Sequence, residues 1–265
     1  MTRCLPLLGS FVEIYIQADI SDGELIKTSQ KAFEVVKLIH HKMSFHDPLS
    51  ELSAINKEAF NKSIKLSDMT TDVIGFALKL STLTDGVFDI TTAPLLMQND
   101  QIPKHTDLQM NNIGFKDITL EENYIQFKKP LTLDLGGIAK GYAVDKALEI
   151  IQNTITGKLQ QAYVNAGGDL KYFNWQNENV LIPTVDKVTS LVKMLNASVA
   201  TSSSYYKYRC SDIYHPLTRQ PANFEKTVSV FSESCMQADG LTKVAALLSS
   251  THPVFKQLNA LVLYT

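Results

Sequence analysis

The stretch "LDLGGIAKGYAVDKALEI", Leu133–Ile150, predicts a buried strand that turns at two adjacent glycines into a long helix. Backbone amides at the start of a helix have no partner within it and carry the positive end of its dipole, so they suit a phosphate. Gly136 and Gly137 would let a ligand approach the backbone closely, and Lys140 would reach the same anion. A tight strand-to-helix corner with Lys140 in solvent is the alternative. The spacing matches neither a Walker loop nor a GxGxxG fingerprint, so this stretch alone does not decide between them.

The composition argues against a nucleic-acid-binding or membrane-spanning protein. The 265 residues are 45% hydrophobic and 20% charged with a net charge of −2, which gives no electrostatic footprint for nucleic acid. The cysteines, Cys4, Cys210 and Cys235, show no CxxC spacing and indicate free thiols in a reducing compartment. No apolar run approaches the roughly 18 residues that span a bilayer, and Pro6 and Gly9 interrupt the N-terminal one. We therefore expect a cytoplasmic protein if the sequence is full length, and a periplasmic one if a signal was removed.

Helices and strands interleave irregularly, which favours an α+β fold over a repeating βαβ array. The apolar spacing up to Met43 predicts a helix that is capped by Ser29 and broken at Asp47-Pro48, and a short helix that begins at Ser50. Further helices are predicted over residues 68–83, 138–153 and 238–248. The predicted strands are "FVEIYIQA", the hairpin "DITLEENYIQFKK", "LTLDL", "QAYVNAGGDL" with its double-glycine turn, several within 178–232, and "ALVLYT". We expect one domain, residues 1–265, with two intimately joined lobes as the alternative.

Six motifs along the chain resemble, in order, the successive motifs of the ApbE family, the FAD:protein FMN transferases. They are "MSFHDPLSELSAIN", "DGVFDITTAPL", "LDLGGIAKGYAVDKA", "VNAGGDL", "ATSSSYY" and "CMQADGLTKVAALL". The resemblance extends from about Leu7 to the last helix, and six ordered motifs are far more specific than any one of them. It implies the mixed sheet and helix fold of that family.

The resemblance implies an enzyme that binds FAD and cleaves its diphosphate with the help of Mg²⁺. FMN would pass to a Thr or Ser hydroxyl of an acceptor flavoprotein or flavoprotein subunit, and AMP would be released. Such chemistry needs a cradle for the diphosphate, a cation that offsets charge on the phosphoryl group, and a base for the acceptor hydroxyl.

The family pattern also assigns residues to each part of this site. The flavin and adenosine would be held by Met43, Phe45, Val87, Phe88, Asp89 and Asp134, with Lys140 joining them from the glycine corner at Gly136 and Gly137. Mg²⁺ would take the backbone carbonyl of Gly137 and the carboxylate of Asp239, which are oxygen ligands of the kind it prefers.

Each assignment has a structural alternative. Met43 and Phe88 fit the core, Asp89 can cap the next segment, and Asp134 can accept from the turn amides beside it. The "NAGGD" segment, residues 165–169, is interpreted as a structural turn. The hydroxyls of "TSSSYY", which begins at Thr201, could meet phosphate or cap strands.

The last helix departs from the family pattern, which reads Asp-Ala-Leu-x-Thr with the Thr helping to hold the metal. Here "DGLTKV" places Thr242 third and Lys243 fourth after Asp239. Positions i and i+4 share a helix face, so Lys243 can pair with Asp239 directly. Its ammonium would then replace Mg²⁺ as the counter-charge or displace it by repulsion. Alternatively, Lys243 extends to solvent and Thr242 substitutes as a metal ligand.

The segment "SDIYHPLTRQP" also departs from the family, which often reads His-x-x-Asp-Pro-x-Thr-Gly-x-Pro with a catalytic His. Aligned on its prolines and threonine, this chain has Asp212 in place of the His and His215 in place of the Asp. Either group can serve as a general base, since geometry decides before identity does. Arg219 replaces the turn glycine and predicts an altered turn, and Phe45 stands where a Tyr is usual.

Two functions from different classes therefore stay open. One is an active FMN transferase that uses Asp239, Lys243 or Mg²⁺, and Asp212 or His215. The other is a protein of the same fold that binds FAD without transferring FMN, or hydrolyses FAD slowly.

Overall fold

The structure is a computed structural model that describes residues 1–104, 112–184, 188–203, 212–222 and 226–265. Contacts divide the chain into two compact units. The first unit takes the described residues of 1–40, 138–205 and 225–265, and the second takes those of 41–137 and 206–224. The prediction of a single domain over residues 1–265 stays a prediction.

The described residues form twelve strands and seven α-helices, which confirms the predicted α+β class. The strands are β1 (Thr2–Leu7), β2 (Ser10–Ala18), β3 (Ile64–Lys65), β4 (Ile118–Glu121), β5 (Tyr124–Phe127), β6 (Leu159–Ala166), β7 (Asp169–Phe173), β8 (Asn179–Pro183), β9 (Thr189–Lys193), β10 (Ser198–Ser202), β11 (Val228–Ser232) and β12 (Leu261–Tyr264). The helices are α1 (Asp22–Met43), α2 (Glu51–Glu58), α3 (Asp68–Leu83), α4 (Ala93–Gln98), α5 (Ala139–Thr154), α6 (Cys235–Leu247) and α7 (Pro253–Gln257).

A seven-stranded sheet forms the centre of the first unit. Its strand order is β1-β2-β6-β7-β10-β11-β12, and every neighbouring pair is antiparallel. Alternate side chains of β2 enter the core, because successive residues of a strand point to opposite faces: Val12, Ile14 and Ile16 are fully buried. Helix α5 packs against β6 and β7, and α6 packs against β10 and β11. The sheet therefore carries the two helices that hold the candidate site.

The second unit contains a three-stranded antiparallel sheet of order β3-β5-β4. The predicted strand "LTLDL" is wrong, because residues 131–135 belong to no strand although most of them are buried. Their backbone is satisfied in another way. The Asn56 side chain donates to the Leu133 carbonyl (2.9 Å) and accepts from its amide (2.7 Å), and the Asp134 amide donates to the Ile90 carbonyl (2.8 Å). A buried apolar run does not by itself distinguish a strand from such a segment.

The predicted start of the first long helix is also wrong. Helix α1 begins at Asp22, where Ser21 and Glu24 form reciprocal hydrogen bonds, with Ser21 N donating to Glu24 Oε2 (3.0 Å) and Glu24 N to Ser21 Oγ (3.4 Å). Ser29 lies inside the helix instead, and its hydroxyl donates to the Ile26 carbonyl (2.9 Å). The polar first turns lack the apolar spacing on which the prediction rested.

Several other elements agree with the sequence, whereas β1, β3, α4 and α7 were not predicted. Ser50 accepts from the Ser53 amide (3.0 Å) as the cap of α2, and the β4–β5 hairpin, the β6–β7 turn and α3, α5 and α6 lie where they were predicted within a few residues. Cys4 and Cys235 are free thiols, whereas Cys210, Ser211 and the motif residues 204–206 lie outside the described residues. Within the described part of the chain, no helix is long and apolar enough to cross a membrane.

Candidate functional site

Helices α5 and α6 of the first unit cap each other at their N-termini. Asp145 on α5 accepts from the Ser234 hydroxyl (2.8 Å) and from the first two amides of α6 (both 2.9 Å). Asp239 on α6 accepts in turn from the amide of Gly141, in the first turn of α5 (3.1 Å). Each carboxylate thus satisfies amides that have no partner within their own helix and meets the positive end of a helix dipole. This arrangement fixes where the Asp239 carboxylate lies.

Gly141 permits the close approach of the two helices. A Cβ atom at this position would lie 2.6 Å from the carbonyl carbon of Cys235 and 2.8 Å from Cα of Met236, distances that no real Cβ contact shows. Gly136 and Gly137, the glycines that the sequence singles out, do not have φ in the left-handed region. Gly141, the third glycine of the "GGIAKG" stretch, is therefore required by packing.

Four charged side chains converge beside this crossing of α5 and α6. Lys140 Nζ lies 2.6 Å from Asp169 Oδ2 and 3.7 Å from Asp239 Oδ2. Lys243 Nζ pairs with the other oxygen of Asp239, Oδ1, as the i,i+4 spacing on α6 predicts. We call these four residues, Lys140, Asp169, Asp239 and Lys243, the charge cluster. It contains two ammonium groups and two carboxylates, so its formal charge is zero.

The carboxylates of the charge cluster are buried, and its two lysine side chains are partly exposed. The exposed fraction of the side chain is 0% for Asp239 and 5% for Asp169, against 31% for Lys140 and 21% for Lys243. An anion that approaches from solvent would therefore meet the lysine side chains before the carboxylates. The buried carboxylates of Asp169 and Asp239 pair with Lys140 and Lys243 and so restrict two flexible lysine side chains.

The environment of the charge cluster shifts three pKa values. Burial alone would raise the pKa of Asp239, but Lys140, Lys243 and the Gly141 amide outweigh it and hold that pKa below its usual value. Burial and the nearby charge of Asp239 raise the pKa of Asp169 above its usual value. For Lys140, burial works towards a lower pKa, but Asp169 and Asp239 outweigh it and raise the pKa above the ordinary lysine value. Asp239 and Lys140 are therefore both charged at neutral pH.

Hydroxyl groups of β10 and β11 form two hydrogen bonds, one of them with Thr242 of α6. The Thr242 hydroxyl donates to the backbone carbonyl of Asp239 (2.7 Å) and accepts from the Ser202 hydroxyl (2.9 Å). Thr201 Oγ1 lies 2.8 Å from Ser229 Oγ. Thr242 thus bonds the backbone of its own helix, while Lys243 takes the carboxylate.

The side chains of the charge cluster do not fit a Mg²⁺ site. Mg²⁺ requires near-octahedral oxygen ligands, and both oxygens of Asp239 already accept from Lys243 or from the Gly141 amide. Two ammonium groups within contact distance of the same carboxylate would repel a divalent cation. Among the residues that the structure describes, no group of three acidic, histidine or cysteine side chains is arranged to hold a metal.

The proposed flavin and adenosine residues lie in the second unit, where most are buried. Met43, Phe45 and Phe88 are core side chains, and Val87 is half-buried. Asp89 accepts from the Thr91 amide (2.8 Å) and hydroxyl (2.7 Å) through Oδ1 and from the Phe115 amide (3.0 Å) through Oδ2. Burial raises its pKa despite these hydrogen bonds. Asp89 therefore ties two loops of its own unit together.

Gly136, Gly137 and the described residues of the "SDIYHPLTRQP" segment also belong to the second unit. Asp134 Oδ1 accepts from the Gly136 amide (3.2 Å), as the structural alternative for Asp134 predicts. His215 Nδ1 accepts from the amides of residues 217 and 218 (3.3 and 3.5 Å), which leaves the proton of the neutral ring on Nε2. Asp212 is exposed. Arg219 adopts φ +59°, the left-handed region that glycine favours, so the turn forms without the glycine of the family motif.

Sequence reasoning missed three residues that build the charge cluster and its supports. The sequence predicted only a structural turn at residues 165–169. Gly167 and Gly168 of that turn do have left-handed φ angles. The turn also places the Asp169 carboxylate within hydrogen-bond distance of Lys140. Asp145 and Gly141 act through the crossing of α5 and α6. The signal for Asp169 was an acid directly after a tight turn that opens a strand. No local signal marks the other two.

Comparisons with known proteins agree with the fold and the motifs. A family model described as "ApbE family" matches residues 8–257. The chain is 28% identical over 264 residues to an FAD:protein FMN transferase of Vibrio cholerae serotype O1, covering 89% of this chain and 78% of that protein. It is 26% identical over 282 residues to an FAD:protein FMN transferase of Haemophilus influenzae, covering 91% and 80%.

Solved structures give the same result. The flavin transferase ApbE from Vibrio cholerae superposes with a TM-score of 0.84 at 26% identity, covering 100% of this chain and 93% of that one. The ApbE protein from Thermotoga maritima also has a TM-score of 0.84, with the same coverage, and at 24% identity it supports the fold alone.

Proposed function

This chain belongs to the ApbE family, and we propose that it transfers FMN from FAD to a Thr or Ser hydroxyl of an acceptor flavoprotein, with release of AMP. The relatives that carry the name FAD:protein FMN transferase are similar to it over most of their length. The proposal names FAD as the substrate and a flavoprotein or flavoprotein subunit as the acceptor. The free thiols of Cys4 and Cys235 are consistent with a reducing compartment, and we propose a cytoplasmic location.

The charge cluster is the observation that carries this proposal. Transfer of a phosphoryl group from a diphosphate develops negative charge. Cationic groups that are already held in place stabilise this charge best, because they need not reorganise during the reaction. Lys140 and Lys243 supply two ammonium groups, and Asp169 and Asp239 hold them from the buried side. The remaining family-derived contacts to FAD, at Met43, Phe45, Val87, Phe88, Asp89, Asp134, Gly136, Gly137 and Thr201, stay proposals.

The proposed reaction is an in-line displacement at the phosphorus of the FMN half of FAD. The acceptor hydroxyl oxygen forms the new P–O bond, the bond to the bridging oxygen breaks, and AMP leaves with that oxygen. Charge builds on the phosphoryl oxygens and on the leaving AMP phosphate, where Lys140 and Lys243 would stabilise it. A base takes the hydroxyl proton of the acceptor.

We assign the base to Asp212, with His215 as a donor. The Nδ1 atom of His215 already accepts from turn amides, which leaves a ring N–H rather than a basic nitrogen at Nε2. Asp212 is exposed. Asp212 and His215 stand at each other's positions in the family motif. We therefore propose that the Asp212 carboxylate accepts the proton and that the His215 imidazole donates a hydrogen bond.

The charge cluster gives little support to a Mg²⁺ ion, which the family resemblance implies. Its expected ligands are Gly137, Asp239 and Thr242. A divalent ion would supply Lewis-acid polarisation of the phosphoryl oxygens. The Asp239 oxygens and the Thr242 hydroxyl are already engaged by groups of this chain. The proposed reaction therefore assigns the stabilisation of phosphoryl charge to Lys140 and Lys243.

The function is tested by incubating the protein with FAD and a panel of recombinant flavoprotein subunits, followed by intact mass measurement of each subunit. One subunit should gain the mass of one FMN, and peptide mapping should place it on a Thr or Ser. FAD that stays bound to the protein, with no mass gain on any subunit, would point to a binder instead.

Removal of the Lys140 ammonium should weaken FAD binding. Lys140→Met keeps most of the stem and deletes the charge, and we expect the Kd for FAD to rise about tenfold or more because a charge-assisted contact to the diphosphate is lost. Titration of flavin fluorescence measures it. Lys146→Met, which alters a surface lysine paired with Glu149, is the matched control and should bind FAD as the wild type does. Equal affinities of the two variants would remove Lys140 from the site.

A further inference from the structure

Both carboxylate oxygens of Asp239 are engaged by groups of this protein. Its carboxylate is fully buried, with Oδ1 paired to Lys243 and Oδ2 accepting from the Gly141 amide, while Lys140 lies 3.7 Å from Oδ2. A buried carboxylate with two cationic neighbours and an amide is already compensated. A divalent ion would have to share an oxygen with one of these partners or displace it, beside two ammonium groups.

The position of Lys243 follows from covalent geometry. Residues four apart lie on the same face of a helix, so the Lys243 stem lies along α6 directly above Asp239. The Thr242 side chain points its hydroxyl to the backbone carbonyl of Asp239 and to Ser202 instead. The chain therefore presents an ammonium, and not a hydroxyl, to the Asp239 carboxylate.

The charge cluster is balanced before any ligand arrives. Two lysines face two aspartates, and the lysines are the partly exposed members. Adding a divalent cation would give the charge cluster an excess positive charge beside two ammonium groups. Adding a diphosphate instead places an anion beside the two partly exposed lysines, and a lysine is a compact point charge that suits phosphate.

We propose that Lys243 is a built-in counter-charge that replaces the divalent cation, so that FAD binds to this protein through Lys140 and Lys243 without Mg²⁺. This inference rests on the proposed function, because it assumes FAD as the ligand. It concerns which cation meets the diphosphate and is independent of the identity of the acceptor protein.

The test compares FAD affinity in EDTA and in excess MgCl₂ for the wild type, Lys243→Thr and Lys146→Thr. We expect the wild type and Lys146→Thr to bind FAD with the same Kd, within about twofold, in both buffers. In Lys243→Thr the counter-charge is lost and an oxygen ligand is placed four residues after Asp239. We expect its Kd to rise about tenfold or more in EDTA and to fall again in MgCl₂.

A second measurement needs no FAD and covers the case of a poorly folded variant. Melting temperatures of the ligand-free proteins are recorded with and without MgCl₂, since an ion that binds only the folded state raises the melting temperature. The wild type and Lys243→Met should show no Mg²⁺-dependent shift, whereas Lys243→Thr should show one. A Mg²⁺-dependent shift in the wild type would overturn the proposal.

The outcomes separate this inference from the proposed function. FAD binding by the wild type only in MgCl₂ overturns the inference and leaves the function intact. Equal binding by the wild type and Lys243→Thr in EDTA also overturns it, because Lys243 would then contribute no counter-charge. Absence of FAD binding in both buffers contradicts the proposed function itself.

Discussion

Gly141→Ala is expected to destabilise the protein by about 3 kcal/mol or more, at the upper end of the usual cost of overpacking. The added methyl would lie 2.6 Å from the carbonyl carbon of Cys235 and 2.8 Å from Cα of Met236, and both are backbone atoms that cannot rotate away. Helices α5 and α6 would have to separate. The Asp239 carboxylate would then lose the Gly141 amide, and the charge cluster would shift with it.

Urea unfolding followed by circular dichroism measures this effect. Gly23→Ala is the matched control, because Gly23 lies in the first turn of α1 and a Cβ there meets nothing within 4 Å. Alanine is favoured over glycine in a helix, so the control should keep or slightly increase the stability. A Gly141→Ala variant as stable as the control would mean that the two helices can separate at no cost.

Asp239→Asn is expected to abolish most of the activity and to destabilise the fold. An amide cannot balance an ammonium group, so Lys243 would lose its carboxylate partner and Lys140 would keep only Asp169. Breaking a buried ion pair costs about 3–5 kcal/mol, and partial exposure of both lysines reduces the expected cost to about 2–3 kcal/mol. Because Lys243 would no longer be held in place, we expect transfer to fall about 100-fold or more, as when a preorganised electrostatic group is removed.

The measurement combines urea unfolding with the rate of FMN attachment to the acceptor. Asp100→Asn is the matched control: Asp100 pairs with Lys104 at the surface with 80% of its side chain exposed, and such pairs contribute about 1 kcal/mol at most. If Asp239→Asn stays as stable as that control and transfers FMN at the wild-type rate, Asp239 does not organise the lysines.

Local patterns predicted most elements of the fold. The spacing of apolar residues located α3 and α5, the Ser50 cap located α2, and turn signals located the β4–β5 hairpin and the turn before β7. The same rules failed where backbone groups are satisfied by distant partners. Leu133 is buried like a strand residue, but its hydrogen bonds go to the Asn56 side chain, which is 77 residues away in sequence.

In the candidate site too, contacts within one element could be predicted and contacts between distant segments could not. The pairing of Lys243 with Asp239 follows from helix geometry within one element, so sequence alone could propose it. Asp169 reaches Lys140 from 29 residues away, and Asp145 reaches the start of α6 from 89 residues away. Such contacts depend on how the sheet places its helices, and a single sequence carries no local pattern for them. The roles of Asp212 and His215 stay predictions.

The most direct test of the proposed transfer is the ratio of its two products in one reaction. The protein is incubated with FAD and an acceptor subunit, and the AMP released and the FMN attached to the acceptor are quantified at several times. Transfer from the FMN half of FAD predicts equal amounts of both at every time, with no free FMN. Release of AMP with matching free FMN and an unmodified acceptor would contradict the account, because the protein would then hydrolyse FAD without transferring it.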